Sequence, residues 1–137
     1  MAQALPRLIL WAIAAFYAYS AYGHIASIAG MHGYTWAEAP LKWQLFDIIY
    51  LALDIIVIVG FLLRWRIGVI AFFAVALSQI LLYTVLRPWI IDVPVKFAPT
   101  PEHLSYLTLM AGLQAGAVVL VLIALRMGAL KRDVIEG

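Results

Sequence analysis

Apolar positions run almost without interruption through residues 8–29, 45–63, 67–86 and 104–125. Each run approaches or exceeds the roughly 20 residues a helix needs to cross a hydrocarbon core of about 30 Å. Inside lipid a backbone polar group finds no water, so a single apolar run satisfies its own hydrogen bonds only as a helix. The pattern therefore predicts four transmembrane helices. Only Arg64, Trp65 and Arg66 separate the second run from the third, which predicts a tight antiparallel hairpin. The other two connections, residues 30–44 and 87–103, are longer. The second of these carries Pro88, Pro94, Pro99 and Pro101 and argues against regular helix there. The expected fold is all-α, a polytopic membrane protein forming one domain: a four-helix bundle running up, down, up and down.

Composition narrows the class. Of 137 residues, 66% are hydrophobic and 12% charged, with a mean hydropathy of +1.03. Soluble domains carry about twice that share of charge, so this chain cannot cover a water-facing surface. Abundant aromatic and branched aliphatic residues exclude disorder. With no cysteine, disulfide scaffolds, thiolate metal sites and cysteine nucleophiles are excluded. A net charge of +2 and a pI near 9.0 do not signal nucleic-acid binding, because the nine basic residues are scattered at helix ends.

Those basic residues set an expected orientation. Arg7, Arg64, Arg66, Arg126, Lys131 and Arg132 fall on one side; Lys42, Arg87 and Lys96 fall on the other. The excess of six over three predicts both termini in the cytoplasm. Trp36, Trp43 and Trp89 would mark the outer interface, Trp11 and Trp65 the inner one. Arg7, the following apolar run and Ala18-Tyr19-Ser20 have the outline of a cleavable leader, but the segment is read as the first span. The stretch 127–137 is read as a solvated end.

Polar residues within the spans are the candidate chemistry. Asp47 and Asp54 lie seven residues apart on the second helix, on one face and roughly 10 Å apart along the axis. Counting at 1.5 Å per residue from Leu63 puts Asp54 about 13–14 Å from the inner edge, near the midplane, and Asp47 about 24 Å up. Level with Asp54 come Tyr17, Gln79 and Gln114; level with Asp47 come His24, Tyr83 and Thr108. Tyr17, Ser20 and His24 follow helical spacing, as do Gln79, Tyr83 and Arg87. The set reads as a polar seam from the midplane to the outer mouth, a ligand or proton site. Interhelical hydrogen bonding without function explains the tyrosines and glutamines better than a site does, and Asp47, near an interface, could simply face water or His24. It explains a midplane carboxyl poorly. Such a group persists by ion pairing, by hydrogen bonding while neutral, or by contact with a wet pocket. Counting finds no basic side chain at the depth of Asp54, so pairing within one chain is not expected.

His24, His32 and His103 all fall on the outer side. His24, His103 and Glu102 are metal-ligand candidates of the nitrogen and oxygen type, and His24 with His103 could clasp a haem axially. No tight ligand spacing supports either. On the fourth helix Gly112 and Gly116 form a GxxxG, which allows close backbone approach to the first helix or to a second copy. Gly60 and Gly68 bracket the hairpin and are read as packing residues. Phosphate-binding loops, HExxH and nucleophile elbows are absent from the sequence.

Tyr22-Gly23-His24 closing the first helix, Gly60-Phe61-Leu62-Leu63-Arg64 closing the second and Ile67-Gly68-Val69 opening the third resemble the DoxX-like group of small four-helix bacterial membrane proteins. The resemblance covers about the first 85 residues. The acid of that group falls near Tyr50 here, and Asp54 stands where a glycine is expected. The resemblance implies a bacterial inner-membrane location and a subunit associated with membrane oxidoreductases, including quinone-linked ones. Three functions follow from the sequence: a non-catalytic subunit or binding partner of a larger membrane assembly; an oligomeric proton-coupled carrier or channel using Asp54; or a redox module holding quinone, haem or metal near the outer face.

Overall fold

The computed structural model describes residues 2–131 and contains four long helices: α1 (Ala4–Ile28), α2 (Leu41–Leu63), α3 (Arg66–Tyr83) and α5 (Pro101–Arg126). A single-turn helix, α4 (Arg87–Ile90), and 3-10 turns at Trp36–Glu38 and Val95–Phe97 lie in the two connections. Arg132, counted above among the orienting charges, lies outside the described residues. All four long helices are long and apolar enough to cross a membrane. They pack in a ring: α1 on α2, α2 on α3, α3 on α5, and α5 back on α1. Large apolar side chains such as Leu8, Ile48, Ile70, Leu77 and Leu109 face outward. A surface of that kind fits an integral membrane protein whose flanks meet lipid.

Helix ends differ from the expected ones where local chemistry decides. α2 begins at Leu41, directly after Pro40, and α5 begins at Pro101, where a proline costs no hydrogen bond in the first turn. Thr100 caps α5 by accepting a bond from the His103 backbone N–H at 3.3 Å. α3 stops at Tyr83, three residues short of expectation. Pro88 has no N–H to continue the ladder onto Thr84, and the Arg87 guanidinium takes the Tyr83 carbonyl instead, at 2.8 Å.

The hairpin between α2 and α3 closes on Arg64, which adopts a left-handed conformation with φ 61°. The Trp65 N–H reaches back to the Gly60 carbonyl at 2.7 Å, a helix-terminating pattern usually built on glycine. Arginine keeps a role there that glycine could not: its Nε donates to the Ala129 carbonyl at 2.5 Å beyond the end of α5. Just inside the turn, Gly60 and Gly68 meet backbone to backbone. A Cβ on Gly68 would lie 2.7 Å from the Gly60 Cα. Their expected packing role is thus met. We refer below to this end of the bundle as the hairpin end, and to the opposite end, with the two longer connections, as the loop end.

Candidate functional site

The α1–α2 seam gathers the charged residues. Side chains on a helix lean toward its N-terminus. α1 runs toward the loop end, so His24 leans back toward the midplane; α2 runs away from it, so Asp54 leans up. The two converge. His24 Nδ1 lies 2.8 Å from Asp47 Oδ1, and its Nε2 lies 3.9 Å from Asp54 Oδ2. The expectation that no basic group reaches Asp54 is therefore corrected, because counting Cα heights ignores a converging lean of two side chains.

Burial grades along this line. The His24 and Asp47 side chains are 16% and 15% exposed, whereas Asp54 is fully buried. Among the described residues neither Asp54 oxygen has a hydrogen-bond partner at bonding geometry. Ser20 and His24 are the polar groups that influence it from α1. Asp47 is better served: Trp36 Nε1, from the 3-10 turn in the first connection, donates to its Oδ2 at 3.0 Å. Its charge is felt further out in the same connection. The Tyr34 hydroxyl is held above its ordinary range, chiefly by burial and next by Asp47, against a lowering bond from Ser27.

Tyr50 forms the wall beside the imidazole. Its ring stacks on His24 with centroids 6.0 Å apart, and Phe46 stacks on Tyr50 in turn at 5.6 Å. Its hydroxyl pairs with Ser78 on α3 at 2.8 Å.

The other expected residues form a second group. Tyr17 donates to Gln114 Oε1 at 3.0 Å, and Gln114 Nε2 donates to Gln79 Oε1 at 2.7 Å, so one buried chain ties α1, α5 and α3 together. These three bond one another and not Asp54, which removes them as the partners of a neutral, hydrogen-bonded acid. Tyr83 lines the core beside this group, while Thr108 accepts from Arg87 Nη2 at 2.7 Å.

His103 and Glu102 open α5, where His103 is engaged by Thr100. Among the described residues no three His, Asp or Glu side chains are grouped to hold a metal ion, so His24, His103 and Glu102 do not make one site. Gly112 and Gly116 also fall elsewhere than a close contact within the chain. A Cβ on either would meet nothing within 4 Å, and with Ile13, Phe16 and Leu120 they line an open apolar groove of about 260 Å³ between α1 and α5.

Two residues of the site went unselected in the sequence. Tyr50 was legible, since Asp47, Tyr50 and Asp54 fall at i, i+3 and i+7 on one face. Trp36 was not, because no periodicity fixes a loop side chain.

What fold and site together define is a small four-span membrane protein with an imidazole standing between a part-buried and a fully buried carboxyl. No family model, curated protein or solved structure matches the chain.

Proposed function

We propose that this protein takes up and releases a proton at Asp54, from the loop-end face only, as the proton-accepting subunit of a larger membrane assembly. One observation carries the reading: His24 stands between two carboxyls, its Nδ1 2.8 Å from Asp47 and its Nε2 3.9 Å from an Asp54 that no group bonds among the described residues. Indole N–H only donates, so Asp47 Oδ2 is an acceptor. An ionised Asp47 then receives the His24 Nδ1–H on Oδ1, and a neutral imidazole turns its Nε2 lone pair toward Asp54 Oδ2. A lone pair facing an unpartnered buried carboxylate is repulsive; one proton between them removes the repulsion. The step balances simply. A hydronium ion from the loop-end solvent protonates Nε2 and departs as water, the imidazolium passes that proton to the Asp54 carboxylate to give the neutral acid, and neutral His24 is restored with its Nδ1–H still on Asp47.

Access is one-sided because the core toward the hairpin end is closed by Val57, Phe61, Phe72, Val75 and Val121, all without exposure. An oligomeric carrier or channel would need a second opening through that apolar packing, so a subunit that buffers or relays protons fits better. The DoxX-like resemblance would place such a subunit beside a membrane oxidoreductase, whose chemistry consumes or releases protons. With the basic residues orienting the chain as expected, uptake is from outside the cytoplasm. The chain has no cysteine, so one introduced at Ala98 should label from outside and one at Trp65 should not.

The direct test is infrared spectroscopy of the protein in lipid vesicles. A carbonyl stretch from a protonated carboxyl should appear, vanish in Asp54→Asn, and exchange with D₂O more slowly in His24→Leu. The Asp54→Asn protein should stay folded. Absence of that band at every pH, or exchange indifferent to His24, would overturn the reading.

A further inference from the structure

Asp47 can orient His24 only if its own carboxylate is held, and what holds it comes from outside the membrane spans. We infer that Trp36 is a positioning residue of the proton site: its indole N–H fixes the Asp47 carboxylate, and through it the imidazole form that turns Nε2 toward Asp54. This rests on the proton-site reading above.

The geometry is a chain of three contacts. Trp36 Nε1 donates to Oδ2 at 3.0 Å, Oδ1 lies 2.8 Å from Nδ1, and Nε2 lies 3.9 Å from Asp54. The two Asp47 oxygens thus have different partners, and the indole decides which oxygen is left for the imidazole. A carboxylate on the far side of a histidine selects its tautomer and ring orientation, as it does behind metal-bound and catalytic imidazoles. Without the indole, Asp47 is free to rotate toward water at the loop end, and the Nδ1–H loses its preferred acceptor.

The turn that carries Trp36 is itself anchored. Gln44, one turn into α2, donates its Nε2 to the carbonyls of Ala37 at 3.1 Å and Ala39 at 2.8 Å. Glu38 pairs with Lys96 of the other connection at 3.0 Å. Trp36, Ala37 and Glu38 are thus each tied by a bond to the bundle or to the second connection, and Ala39 just after them by another, although the turn's three residues are neither buried nor part of a span. Such anchoring is more than a plain linker needs, and it places one group where the site needs it: the indole N–H. Among the described residues His24 is faced by Asp47 and Asp54 from α2 and by the Tyr50 ring stacked on it, with Ser20 of its own helix acting on Asp54.

The test is nitrogen NMR on protein with ¹⁵N-labelled histidine rings in lipid nanodiscs, with His24→Gln assigning the signal. Wild-type His24 should carry its proton on Nδ1. Trp36→Phe keeps a ring for packing and deletes the donor. It should lower the ratio of Nδ1–H to Nε2–H roughly five-fold, the change one hydrogen bond of ordinary net strength supports. Asp47→Leu should abolish the Nδ1–H preference altogether. An unchanged ratio in Trp36→Phe, with the preference lost in Asp47→Leu, would overturn the role of Trp36 and leave the relay standing. A wild-type His24 protonated on Nε2 would remove the relay itself. Should Trp36→Phe fail to fold, hydrogen exchange in the wild type decides. The Trp36 indole N–H should exchange more slowly than that of Trp65, and equal rates would overturn the inference.

Discussion

The two halves of the bundle spend their buried volume differently. Toward the hairpin end, Phe61, Phe72, Val57 and Leu10 fill the core without exposure, and Gly60 lets α2 press on Gly68 of α3. The ring of Phe72 touches Phe61 and Tyr17 at centroid distances of 5.5 and 5.6 Å. Toward the loop end, the same helices enclose His24, Asp47 and Asp54, and among the described residues one carboxyl is left without a bonding partner. Lipid supplies no hydrophobic drive between helices, so dispersion and backbone proximity hold the first half together. With that half closed, the second can carry an unpaired polar group, which costs stability wherever it is buried. The buried Tyr17, Gln114 and Gln79 chain marks the border, satisfied within itself and pinning three helices at one level.

This division makes predictions that differ by half. The largest effect is expected from Phe72→Ala, which opens a cavity in the apolar half. It should cost about 3 kcal/mol, the low end for such truncations because lipid lessens the transfer part. Thermal or denaturant unfolding in detergent measures it, and the Asp54 infrared band should stay in place. A loss under about 1 kcal/mol would mean that this half is not the structural one. Gly60→Ala comes next. Its Cβ would lie 2.6 Å from the Gly68 backbone nitrogen, so α2 and α3 must separate, at about 2 kcal/mol. The Arg64 bond to Ala129 should weaken with them, and cysteine accessibility at Trp65 would report it. The smallest effect is expected from Gly112→Leu combined with Gly116→Leu, since both positions are open. Stability of the single chain should change by no more than about 0.5 kcal/mol. A smaller oligomer in detergent, with that stability intact, would assign the glycine pair to contact between copies.

The glycines show how far a motif carries. GxxxG is the more recognisable pattern, yet Gly112 and Gly116 approach no neighbouring helix in the chain. Gly60 and Gly68 belong to no named motif and meet backbone to backbone. The reason is directional: spacing says that two small residues share a face, and only packing says what that face meets. The same limit applies to the polar seam. Height along the axis correctly grouped Tyr17, Gln79 and Gln114, but it grouped Asp54 with them too, whereas Asp54 leans away toward His24.

Hydropathy by itself determined that this chain has four long helices that meet lipid, because an apolar run of that length leaves its backbone no other way to bond. Helical period determined that Asp47, Tyr50 and Asp54 share a face. Tertiary structure decided which helix that face meets, that His24 stands between the two carboxyls, and that a tryptophan from a connection holds the outer one. Those contacts depend on antiparallel lean and loop closure, and neither is written in the spacing of residues along one helix.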